Sequence, residues 1–309
     1  MKKVIALVCA VLAFSALGMK AAEAEADVKV LSKQFDFKDF YGLSASNAFQ
    51  VSLVQDRNYY VEVEYSDFLG EYLDVSVFGG TLRLGLKTLP RSVQNSRKYK
   101  EGAVLKATVH MPRLTSLSLS GSAKLEQEGR FNLSDEEFRM DLSGAAHAEN
   151  VAVNAQKARL VTSGAASCNG FEGEFNQVVL KVSGASKGLY SAEAENWDVT
   201  LSGSAHVELK GKDCKKMDIE SSGASRADVS VPSETLRYEG SGASRLDALN
   251  APAKKARIEL SGSSSCHIAV KESLEVDASG ASDCYYKAIG GAGLKTKFDI
   301  SRGSRVRTL

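Results

Sequence analysis

Nine Ser-Gly pairs divide the last two-thirds of this 309-residue chain into near-equal parcels. The glycines are Gly121, Gly144, Gly164, Gly184, Gly203, Gly223, Gly242, Gly262 and Gly280, with successive gaps of 23, 20, 20, 19, 20, 19, 20 and 18 residues. A fixed period near twenty marks a repeat architecture, in which each unit buries its apolar face against the next. A residue that recurs nine times at one place in a repeat is a structural device before it is a catalyst. The feature that fixes the fold class therefore removes the Ser-Gly pairs as active-site candidates.

With each glycine set to position zero, position −4 is apolar or aromatic throughout: Leu117, Met140, Leu160, Leu180, Val199, Ile219, Tyr238, Ile258 and Val276. Position −6 is mostly apolar, from Phe138 and Trp197 to Leu274, while −5 and −3 are mostly charged or hydroxylated. That two-residue period predicts a strand with one buried face. Two Ala or Ser residues follow every glycine, and +4 turns inward again (Leu125, Ala148, Cys168, Gly188, Val207, Ala227, Leu246, Cys266, Cys284). Pro112, Pro232 and Pro252 fall nine or ten residues before the next glycine. Proline cannot donate to a ladder, so it collects at corners. Each coil reads as strand, Ser-Gly corner, short strand, turn. The prediction is an all-β, single-chain parallel β-helix or β-solenoid with coils stacked about 4.8 Å apart. A leucine-rich repeat lacks its consensus positions here, and a propeller needs about forty residues per blade.

Lys2 and Lys3, the apolar run Val4–Leu17 and the small-x-small triplet Ala22-Glu23-Ala24 read as a secretory signal peptide over 1–24. Without it the chain carries 36 basic and 37 acidic residues. That balance gives no global attraction to nucleic acid or to an anionic membrane, and no second long apolar run suggests a transmembrane segment in the mature chain. Residues 25–113 lack the motif but alternate well, with Gly79-Gly80 as a hairpin turn. They read as an N-terminal β segment leading into the solenoid. Residues 114–309 read as the repetitive solenoid, with Ser301-Arg302-Gly303 marking an atypical last coil that caps the C-terminal end.

Several segments together resemble a known family: Phe40-Tyr41-Gly42-Leu43-Ser44, Val51-Ser52-Leu53, Tyr60-Val61-Glu62-Val63, Gly80-Thr81-Leu82-Arg83-Leu84, His110-Met111-Pro112-Arg113-Leu114 and Leu117-Ser118-Leu119-Ser120-Gly121-Ser122-Ala123. The chain resembles the putative auto-transporter adhesin, head GIN domain family of exported bacterial proteins, from about Phe40 to the C-terminus. The resemblance implies a β-solenoid in the periplasm or on the outer cell surface. It supplies no catalytic residues.

The repeat leaves few places for a site. At +3 the outward side chains Lys124, His147, Lys187, His206, Arg226 and Arg245 form a basic column beside an acidic one at +5 (Glu126, Glu149, Glu208, Asp228, Asp247). The column is either a solvated face of side-by-side ion pairs, each worth little, or a ligand face for an acidic glycan or an envelope protein. The segment Arg91–Lys100 places Arg91, Arg97, Lys98 and Lys100 around Tyr99 in what reads as a loop, either a solvated hairpin or a binding element. Cys266 and Cys284 share the +4 slot on adjacent coils, within reach of a disulfide. The competing reading is free cysteine filling a small apolar slot. His147 and His206 lie three coils apart and cannot share a metal, and no metal or cofactor is expected. The expected function is non-enzymatic binding or adhesion through an extended surface. The alternative is a glycan-active lyase or hydrolase on a β-helix scaffold. Neither partner identity nor oligomeric state is fixed by the sequence.

Overall fold

The computed structural model describes residues 28–134, 136–289, 293–301 and 303–309. The expected signal peptide, 1–24, lies outside them. The described residues are 64% strand and 6% helix, wound as a parallel β-solenoid of about nine turns.

The strands before each Ser-Gly corner stack into a first face. Its −4 positions meet in register from Leu117 and Met140 through Leu180 and Tyr238 to Val276 and Phe298. The strands after the corner stack into a second face. There the +4 positions align from Leu125, Ala148 and Cys168 to Cys266, Cys284 and Val306. A third, narrower side begins with Phe131 opposite Val153 and runs through Phe171 opposite Tyr190. All nine −4 and all nine +4 residues are buried, so the two alternations converge on one core. Each larger aliphatic or aromatic side chain there contributes about 1.5–3 kcal/mol by leaving water. Phe138, Phe171 and Phe175 stack at centroid distances of 6.2 and 5.6 Å inside the early coils.

The corner has a direction. The nine glycines hold φ between +67° and +76°, and each amide after the glycine donates to the corner carbonyl of the preceding coil, Asn47 O for Ser122 N and a glycine carbonyl for the rest, as Ser204 N to Gly184 O at 2.7 Å. A Cβ at Gly203 would lie 2.8 Å from that same carbonyl oxygen. A side chain at any rung would therefore strike the backbone of the coil before it. The first rung escapes this rule. Gly42–Ala45 and Gln50–Gln55 form a coil stacked on Ser116–Leu119 and Lys124–Glu128, and its corner residue is Asn47 at φ +60°. No regular corner precedes Asn47. Its side-chain oxygen instead accepts from the Leu86 amide at 3.0 Å.

At the N-terminal end the chain doubles back. Val30–Phe35 pairs antiparallel with Tyr60–Ser66, which pairs antiparallel with Leu105–Met111. Leu73–Phe78 and Thr81–Leu86 form the expected hairpin around Gly79-Gly80. The basic segment departs from the expected loop. It folds as two short helices, Arg91–Gln94 and Arg97–Gly102, inserted where the corner of the outermost coil would be. The Ser96 hydroxyl accepts from the Tyr99 amide at 3.2 Å, and Val93 and Tyr99 pack onto the core.

At the C-terminal end, Lys295–Ile300 and Arg305–Thr308 continue the two parallel ladders, and Phe298 and Ile300, in line with the core positions of the coil before, remain exposed.

Candidate functional site

The second face carries the basic column as a straight line. Lys124, His147, Ser167, Lys187, His206, Arg226 and Arg245 are successive register partners. Ion pairs occupy several of its members. His147 Nε2 lies 2.6 Å from Glu149, and its Nδ1 lies 2.5 Å from the Ser167 hydroxyl. Asp228 takes His206 Nε2 at 2.8 Å and a fork of bonds from Arg226 at 2.7–2.9 Å. Arg245 donates to the Ser265 hydroxyl at 3.3 Å. Lys124 and Lys187 are exposed.

Burial pushes the Asp228 carboxyl up, but the hydrogen bonds from Arg226 and His206 prevail and hold it below the ordinary aspartate value. A depressed folded value stabilises the protein above the unfolded value and loses that contribution as pH falls through the folded one. Asp228→Asn is accordingly expected to cost on the order of 1 kcal/mol at pH 7. That difference should shrink as pH falls below the ordinary aspartate pKa of about 3.9. Urea unfolding midpoints of both proteins across pH 2–7 check it.

The helical insertion feeds this column at its N-terminal end. Lys106 opens the strand after the insertion and stands opposite Gln50, which stands opposite Lys124. Arg91, Lys98 and Lys100 are exposed, and Arg97 bonds Glu101 at 2.7 Å. Tyr99 anchors the insertion as a half-buried ring. The insertion thus lies at the N-terminal end of the face along which the basic column runs.

Cys266 and Cys284 are direct register partners. Both are buried free thiols, as are Cys168 and Cys214. Burial pushes Cys168 up to about 12 and Cys214 up to about 11, so neither thiol is poised as a nucleophile.

A further feature is not among the sequence-predicted sites. The corner between the third and first faces is indented into a groove of about 860 Å³, within the ~300–1,000 Å³ of ligand clefts. Its floor includes Ala155, Phe175, Ala194 and Cys214, and Pro232 and Pro252 also line it. Pairs that bridge adjacent coils form its rim: Lys212–Glu193 at 2.7 Å, Lys215–Glu195 at 2.8 Å and Lys254–Glu234 at 3.0 Å. Toward the N-terminal end the rim turns to amides, with Asn154 Nδ2 donating to Asn132 at 2.9 Å. Asn132 and Asn154 are register partners, and Asn176 of the following coil also lines the groove. Alignment on glycine alone hides these amides, because coil length varies on this side.

Among the described residues no group of three His, Cys, Asp or Glu side chains is placed to hold a metal. No helix there is long and apolar enough to cross a membrane.

The family described as "Putative auto-transporter adhesin, head GIN domain" matches residues 39–210 and 188–289. No curated protein matches the sequence. Among solved structures, a putative adhesin from Parabacteroides distasonis ATCC 8503 is 13% identical, with a TM-score of 0.52 over 92% of this chain and 98% of that one. A putative adhesin from Parabacteroides merdae ATCC 43184 is 14% identical over 91% and 96%, with a TM-score of 0.47. A putative lipid binding protein from Parabacteroides distasonis ATCC 8503 is 14% identical over 91% and 96%, with a TM-score of 0.46. At 13% identity the first of these likenesses bears on the fold alone.

Proposed function

The chain belongs to the putative auto-transporter adhesin, head GIN domain family, and from that premise we propose that it is an exported, non-catalytic binding protein of the cell envelope. Its partner is an extended polar chain, with a glycan as the first class to test. The observation that carries this reading is the repetition of the surface. Each coil adds polar side chains one strand spacing further on, about 4.8 Å per step, amides toward the N-terminal end and Lys–Glu pairs beyond it, and the groove runs along that direction. A catalytic site needs one coil unlike its neighbours, whereas a linear polymer is matched by many coils alike. The Lys–Glu rim and the amides supply both donors and acceptors to hydroxyl-rich ligands.

Binding to an array of envelope and host polysaccharides tests the reading. Lys215→Glu sets a carboxylate against Glu195 at an exposed position. It is expected to weaken the strongest binding about tenfold, or 1.4 kcal/mol. Arg97→Ala/Lys98→Ala, at the far insertion, is expected to leave it unchanged. The reverse pattern would move the site to the insertion. New reducing ends or unsaturated sugars released from any polysaccharide would establish the enzymatic alternative and overturn the proposal.

A further inference from the structure

The two ends of the rod are finished differently. At the N-terminal end, antiparallel strands Val30–Phe35 and Leu73–Phe78 lie outside the parallel ladders. At the C-terminal end, Lys295–Ile300 pairs only with Ser273–Ala278, and Arg305–Thr308 only with Asp283–Tyr286, among the described residues. The core-facing side chains of the last coil show the consequence. Phe298 and Ile300 are 37% and 42% exposed, whereas Val276 and Ala278, their partners one coil earlier, are each 1% exposed. Ile289 and Leu309 add exposed apolar surface nearby in sequence. A six-residue edge without proline or bulge, apolar on its inner side, is a template for another strand.

We propose that this edge joins two copies of the chain in a two-fold dimer, with Lys295–Ile300 of each pairing antiparallel about Phe298. The charge order of the strand selects that register. In an antiparallel pair, directly opposed residues point to the same side of the sheet. Centring the pair on Phe298 sets Lys297 opposite the partner's Asp299, and Asp299 opposite the partner's Lys297. It also sets Phe298 against its own copy and Thr296 against the partner's Ile300, so the −4 core column continues across the interface. Lys297 already bonds Glu275 at 2.6 Å. The partner's Asp299 then flanks it on the open side, and the column alternates in sign. The neighbouring edge does not offer this. Self-pairing of Arg305–Thr308 about Val306 would set Arg305 against the partner's Arg307 twice, and like charges directly opposed are destabilising. The two-fold axis therefore falls on the first-face strand. An isologous contact of this kind closes at two copies. The dimer would present two copies of the groove on one elongated body and so raise the avidity for a polymeric ligand.

Sedimentation equilibrium of the purified chain over about 1–100 μM, which brackets micromolar association, is the first test. The expected mass is twice that of the chain and no more. A monomer throughout overturns the proposal, and so does a mass that keeps rising, which would signify head-to-tail stacking. The decisive test uses two charge variants, Lys297→Glu and Asp299→Lys. Each alone opposes like charges twice and is expected to run as a monomer, with its strand circular dichroism retained because both side chains are exposed. Mixed in equal amounts they oppose only unlike charges, and a heterodimer is expected to form. Variants that dimerise as the parent does, or a mixture that stays monomeric, overturn the assignment of the interface.

Discussion

Gly203→Ala is expected to destabilise the protein by about 3 kcal/mol, whereas Gly79→Ala, at a similar backbone angle, costs about 1 kcal/mol. Both glycines have positive φ, +72° and +56°, so both substitutions carry the left-handed penalty of about 1–2 kcal/mol for an L-residue. They differ in what the new methyl group meets. At Gly79 nothing lies within 4 Å, whereas at Gly203 the Gly184 carbonyl oxygen lies at 2.8 Å and its amide nitrogen at 3.1 Å. That carbonyl cannot swing away without losing the 2.7 Å bond from the Ser204 amide. The coils must part at the corner, and interior backbone groups that lose their partners cost further free energy. Urea midpoints by circular dichroism for the two variants give the comparison. Equal losses would mean that only the backbone angle matters and that contact along the ladder does not.

The same geometry explains what the sequence makes legible and what it hides. The coil could be read because three independent spacings agree: glycine at the corner, apolar residues at −4 and +4, and proline at the far turn. Each follows from local sterics or from the two-residue strand period, and both survive stacking unchanged. Asn47 was hidden because it breaks the letter of the motif while keeping its physics. A rung's Cβ points toward the preceding coil, and the first rung has no regular corner there, so a residue that tolerates φ +60° and caps Leu86 is accepted. The insertion was legible as a basic segment but not as helix, since its two helices are only four and six residues long. Isolated helices of that length do not persist in water. Packing of Val93 and Tyr99 against the core holds them. The His147–Glu149 and Arg226–Asp228 pairs were readable from the +3 and +5 columns, because residues two apart on a strand share a face. The groove was not, because it lies where coil lengths vary and no single period reaches across it.

The +4 column has one apparent flaw, Gly188, and its repair predicts the second large effect. Leu, Val, Ala or Cys fills that slot in the other coils, yet a Cβ on Gly188 would lie 2.3–2.7 Å from the Tyr190 ring. The ring is fully buried and its hydroxyl is 3.1 Å from the Thr162 hydroxyl. Glycine at 188 is therefore the counterpart of tyrosine at 190, and the two positions share one volume. Tyr190→Ala is expected to cost about 3–5 kcal/mol through the cavity it leaves and the buried Thr162 hydroxyl it strands. Gly188→Leu alone overfills the slot and is expected to cost about 1–3 kcal/mol. Combined, they should cost less than Tyr190→Ala alone by about 1–2 kcal/mol, since leucine then enters space that tyrosine has vacated. The slot would hold what Leu125 and Leu246 hold in their own coils. Unfolding midpoints of the three variants close the cycle. Additive losses would show that the glycine answers to the backbone of its own strand and not to the ring beside it.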